Sequence, residues 1–99
     1  MSAGTIFMFE RMIPMETRVA VISIIVENNN SVSLLNDLLH HYGEYIIGRM
    51  GIPYRAKSIN IISIAIDAPQ DVISALSGKI GRLDGVSAKT AYSGVISNE

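Results

Sequence analysis

The sequence predicts an α+β fold: a four-stranded antiparallel sheet and two helices in a two-layer sandwich, in the order β-α-β-β-α-β. Three observations predict it. Two β-branched runs, 17–26 and 59–67, are each followed by a segment whose apolar residues recur at helical spacing. A third apolar run, 45–54, directly follows the first helical segment and carries Gly48, Gly51 and Pro53. A fourth run, 86–93, alternates apolar and polar residues to the end of the pattern.

Thr-Arg-Val-Ala-Val-Ile-Ser-Ile-Ile-Val at 17–26 is a strong strand signal, because branched side chains fit a pleated surface. Glu27 and Asn28–Asn30 are turn chemistry, and Ser31 is a good helix N-cap. Val32, Leu35, Leu39 and Tyr42 then form a helical stripe, widened by Leu34 and Leu38, and Gly43 is a natural stop. The 45–54 strand belongs at a sheet edge, since glycine weakens a strand and proline cannot donate to the ladder. After the polar turn 55–58, isoleucines at 59, 61, 62, 64 and 66 mark the third strand. Pro69 suits the first position of the second helix, whose buried face is Val72, Ile73, Leu76 and Ile80. Right-handed crossovers place both helices on one face of the sheet and the first and third strands at its centre, the ferredoxin-like arrangement. Residues 1–14 are read as an N-terminal extension, either loosely attached or supplying a strand or clip at 6–12, and 15–99 as the domain.

The central strands are apolar on both faces. Val19, Val21 and Ile25 point opposite to Ala20, Ile22, Ile24 and Val26, and Ile59 and Ile61 oppose Ile62, Ile64 and Ile66. Helices cover one face only, so another copy of the chain is expected on the second, giving a homo-oligomer, dimer or tetramer, through the sheet face.

Composition excludes several function classes. The chain has 99 residues, 48% hydrophobic and 17% charged, with mean hydropathy +0.33; this suits one small core and excludes disorder. Eight Lys and Arg against nine Asp and Glu leave a net charge of −1. No autonomous nucleic-acid binding or anionic-membrane binding is expected from that balance. No run approaches the roughly 18 apolar residues of a membrane span. Cysteine is absent, which removes thiolate metal sites and nucleophiles and fits a cytoplasmic protein.

No serine has a base and orienting partner and no carboxylate pair is identifiable, so no catalytic residue is assigned and no enzyme is expected. His40 and His41 are adjacent and point about 100° apart on a helix, so they read as a solvated helix end or as ligands shared across an interface; no metal site or cofactor is assigned. The ligand candidates are Asn28, Asn29 and Asn30, amides beside a helix N-terminus, and Gly48, Arg49 and Gly51 in a glycine-interrupted segment. Each has a plain alternative: Asn is a turn former, and paired glycines mark a bulged edge strand.

The blocks Met15-Glu16-Thr17-Arg18-Val19-Ala20-Val21 and His41-Tyr42-Gly43-Glu44-Tyr45-Ile46-Ile47-Gly48-Arg49-Met50-Gly51-Ile52-Pro53-Tyr54 resemble those of a specific family. Asp67-Ala68-Pro69, the 73–81 segment Ile-Ser-Ala-Leu-Ser-Gly-Lys-Ile-Gly and Gly85-Val86 extend the resemblance over 15–93. The family is the small iron-only hydrogenase system regulators, ACT-like domains found with iron-only hydrogenase genes. It in turn resembles the C-terminal domain of the nickel-responsive repressor, which binds nickel through a His late in its first helix, a His-x-His on its second strand and a Cys. Here only His40-His41 falls in a comparable place; Ile46, Gly48 and Met50 occupy the second strand, and Cys is missing. The resemblance therefore implies a regulatory ACT-like module acting through a small-molecule effector or protein partner, without carrying over the metal or the DNA. The alternative is a metal- or DNA-linked repressor like the nickel sensor.

Overall fold

The structure, a computed structural model, describes residues 16–97. Its strands are β1 (Thr17–Val26), β2 (Ile46–Tyr54), β3 (Ile59–Ala68) and β4 (Val86–Ser97), and its helices α1 (Val32–His41) and α2 (Gln70–Gly81). The sheet is antiparallel in the order β2-β3-β1-β4, so the two isoleucine-rich strands are central and the Gly- and Pro-bearing strand lies at an edge. The fold is the predicted α+β, ferredoxin-like sandwich. The readings of 1–14 as an extension and of 6–12 as a strand or clip lie outside the described residues.

Register decides which apolar set lies under the helices. Ile22 pairs with Ile64, Ile24 with Ile62 and Ala20 with Ile66, and all six are buried. They pack with Leu35 and Leu39 of α1 and Ile73, Leu76 and Ile80 of α2 into one core. Burying side chains of this size stabilises by about 1.5–3 kcal/mol each before the entropy of ordering them is subtracted.

Local chemistry departs from expectation at several points. Ser31 makes no side-chain cap; its buried hydroxyl donates to the Asp84 carbonyl (2.6 Å) and ties the α1 entrance to the loop before β4. Asn28 instead caps the short 3₁₀ turn Asn29–Ser31, its Oδ1 accepting from the Asn30 N–H (3.0 Å). Leu34 is 58% exposed and does not widen the α1 stripe, because α1 meets the sheet along Leu35 and Leu39. Pro69 caps α2 from outside its first turn, accepting from the Val72 and Ile73 N–H groups (3.0 and 3.2 Å), and is not its first residue. Gly43 opens a 3₁₀ turn after α1 without entering the left-handed region. β4 runs to Ser97, four residues past the expected end, by pairing with Thr17 and Arg18 beyond an irregularity between Arg18 and Ala20.

Candidate functional site

Among the described residues one sheet face carries no helix, and it is built by the alternation that fills the core. Residues one step from Ile22, Ile24, Ile62 and Ile64 point away from the helices. Val19, Val21, Ile25 and Ile61 lie there, each only 39–42% exposed. β2 extends the same face: Ile52 pairs with Ile61, Met50 with Ser63 and Tyr54 with Ile59, leaving Met50 70%, Ile52 57% and Tyr54 45% exposed. The sequence reading counted the central strands alone and missed these three. The signal was present, since Met50, Ile52 and Tyr54 alternate with Arg49, Gly51 and Pro53.

Register arranges this face in rows that cross the strands. Ile25, Ile61 and Ile52 form one row. The next holds Lys89, Ser23, Ser63 and Met50, and the one after it Ala91, Val21, Ala65 and Gly48. A ridge of three isoleucines therefore stands beside two rows made mostly of small side chains.

The predicted ligand residues fall in two places. Asn28 is structural: its Nδ2 donates to Asp84 Oδ2 (2.6 Å), and its backbone is in contact with Gly85. Gly85 has φ +67°, and a Cβ there would lie 2.5 Å from Asn28 Cβ, so the position requires glycine. Asn29 lines a shallow cavity of about 160 Å³ with Pro53, Tyr54, Arg55, Ser58, Ile59 and Asn60, and its Oδ1 accepts from Asn60 Nδ2 (3.0 Å). Asn30 is exposed and lies outside that lining. Gly48, Arg49 and Gly51 sit on β2 away from the cavity. The register shift between Ile46 and Gly48 is the expected bulge, and Arg49 points to the helix side, donating to Asn36 Oδ1 (3.1 Å).

Sequence reasoning did not single out Ser58 and Asn60 as cavity residues beside Arg55. They come together because the 3₁₀ turn Arg55–Lys57 ends on Ser58 at φ +55° and folds the strand connection back on itself. A guanidinium, a hydroxyl and two amides beside Tyr54 suit a small ligand with an anionic group.

His40 and His41 are exposed at the end of α1, and among the described residues no group of three or more His, Asp or Glu side chains could hold a metal ion. Among the described residues no helix is long and apolar enough to cross a membrane.

Residues 18–90 match the TM1266-like family, described as "Iron-only hydrogenase system regulator, putative". The structure of uncharacterized protein TM1266 from Thermotoga maritima is similar, with a TM-score of 0.74 and 35% identity over 77% of this chain and 96% of that one. Among curated proteins none matches the chain. The family match spans most of the chain, and the solved relative repeats the fold over nearly its whole length: the chain belongs to the TM1266-like family.

Proposed function

We infer that the chain is a non-catalytic, ACT-like regulatory domain of an iron-only hydrogenase system, acting as a homo-oligomer through its open sheet face. The observation that carries this reading is the apolar character of that face across three adjacent strands, from Val19 to Tyr54. Side chains of this size forfeit part of about 1.5–3 kcal/mol each while they face water, and closed association of identical copies recovers it. Signalling then runs through what the assembly binds. The cavity of Asn29, Tyr54, Arg55, Ser58 and Asn60 lies at one end of the face, with Tyr54 and Ile59 the last register pair there. A copy laid on the face deepens the cavity, so a small anionic effector and subunit association reinforce each other.

Light scattering on the full chain at micromolar concentration tests the assembly. Dimers or tetramers are expected, and Ile25→Asp, which places a charge on the ridge, should yield monomers with an unchanged far-ultraviolet spectrum. A wild-type monomer at that concentration overturns the reading.

A further inference from the structure

The rows of the open face differ in height, and that difference selects one way for two copies to stack. We propose that a second copy of this chain docks face to face about a two-fold axis running across the strands, along the row of Ser23 and Ser63. This rests on the open face being a subunit interface, and adds the geometry of that interface.

Such an axis reverses the strand direction between copies and exchanges rows equidistant from it. The isoleucine row lies two residues to one side of Ser23 and Ser63, and the row of Val21, Ala65 and Gly48 lies two residues to the other. Ile61 then lies over the partner's Ala65, Ile52 over the partner's Gly48 and Ile25 over the partner's Val21. In each of these three pairs a large side chain meets a smaller one, as close packing requires. Ser23 and Ser63 meet their own counterparts on the axis, as do Met50 and Lys89 at the two outer edges of the sheet.

The competing two-fold, parallel to the strands between β1 and β3, gives the opposite result. It sets Ile25 over the partner's Ile61, Ser23 over the partner's Ser63 and Val21 over the partner's Ala65, within the same rows. Ridge then stands on ridge, and the small rows face one another across a gap, which forfeits their dispersion contacts.

The area supports a second copy as the occupant. Four strands at ~4.8 Å spacing and about nine residues at ~3.3 Å rise present roughly 570 Å² in projection. The accessible area of a corrugated face exceeds its projection and approaches the ~800 Å² per partner of a standard interface. Along the register pairs from Val19 to Ile25 the described residues of this face carry two charges: Asp67, paired with Val19, and Lys89, paired with Ser23 on the edge strand β4, where its ammonium can reach water past the interface.

The test exchanges ridge and trough. Ala65→Ile puts a branched side chain where the partner's Ile61 must sit, and each isologous interface contains that clash twice. Dimer dissociation, measured by sedimentation on the full chain, should strengthen by about tenfold or more. Ile61→Ala added to Ala65→Ile exchanges the two sizes and should bring dissociation back to within about threefold of wild type. Under the strand-parallel axis Ala65 faces the partner's Val21 across the gap, so Ala65→Ile leaves association as strong as wild type or stronger and Ile61→Ala restores nothing; that result overturns the geometry while leaving the oligomer intact. A wild-type monomer overturns the oligomer and the geometry together. Both substitutions lie on the uncovered face, so each variant's far-ultraviolet spectrum should match wild type. As a second readout, Ser63→Cys chains should join under a short thiol-bridging reagent. Failure to join in a chain that remains dimeric also overturns the axis.

Discussion

Gly85 fixes the junction between β1 and β4, and replacing it by alanine gives a measurable consequence. Its φ of +67° costs a residue with a Cβ about 1–2 kcal/mol relative to the right-handed region. The new Cβ also lies 2.5 Å from Asn28 Cβ and 2.9 Å from Asn28 N, against an ordinary carbon contact of ~3.5–4.0 Å. Neither loop moves freely. The Glu27 N–H donates to the Gly85 carbonyl (2.7 Å), Asn28 Nδ2 to Asp84 Oδ2 (2.6 Å) and the Ser31 hydroxyl to the Asp84 carbonyl (2.6 Å). Relieving the clash strains this set by about 1–3 kcal/mol, as overpacking does elsewhere. The stiffer unfolded chain returns only about 0.4–1 kcal/mol. Gly85→Ala should therefore destabilise by about 1–4 kcal/mol, a large fraction of the ~5–15 kcal/mol of a small domain. Urea unfolding followed by circular dichroism measures it, at one fixed protein concentration because association adds to apparent stability. Gly81→Ala is the control: it ends α2 with nothing within 4 Å of its added Cβ, and should be neutral or stabilise by up to ~1 kcal/mol. A Gly85→Ala protein within ~0.5 kcal/mol of wild type at unchanged m-value would refute the argument.

Two further expectations use the same unfolding assay. Leu39→Ala should cost about 2–5 kcal/mol and Leu34→Ala no more than ~0.5 kcal/mol, since Leu39 is 2% exposed and Leu34 58% on the same helix; equal costs would mean α1 is rotated from its described orientation. Ser31→Ala should cost about 1–3 kcal/mol by leaving the Asp84 carbonyl without its hydroxyl donor, whereas Ser31→Thr, which keeps a hydroxyl, should recover part of that loss; no difference between them would show that the bond contributes nothing.

Strand, helix and turn were legible wherever the signal was local. β-branching and period-two alternation specified β1 and β3, helical spacing specified α1 and α2, and Gly48, Gly51 and Pro53 placed β2 at an edge. The bulge in β2 followed from the same glycines. Capping was less legible, because a serine hydroxyl binds whichever backbone group is nearest. At Ser31 that group is the Asp84 carbonyl, 53 residues away in sequence, and Asn28 takes the local capping role.

The sequence by itself determined that β1 and β3 have two apolar faces, because alternation is a property of the strand alone. Which face the helices cover was decided only by the tertiary structure, since both sets are isoleucine-rich and either fits under Leu35 and Leu76. The candidate site divides in the same way. Asn28–Asn30 announced a turn, yet only long-range packing joined Asn29 to Asn60 and Arg55 and made Asn28 a brace for Asp84. Register likewise set the isoleucine ridge beside the rows of small side chains. Pairing between strands fixes that relation, and no single segment contains it.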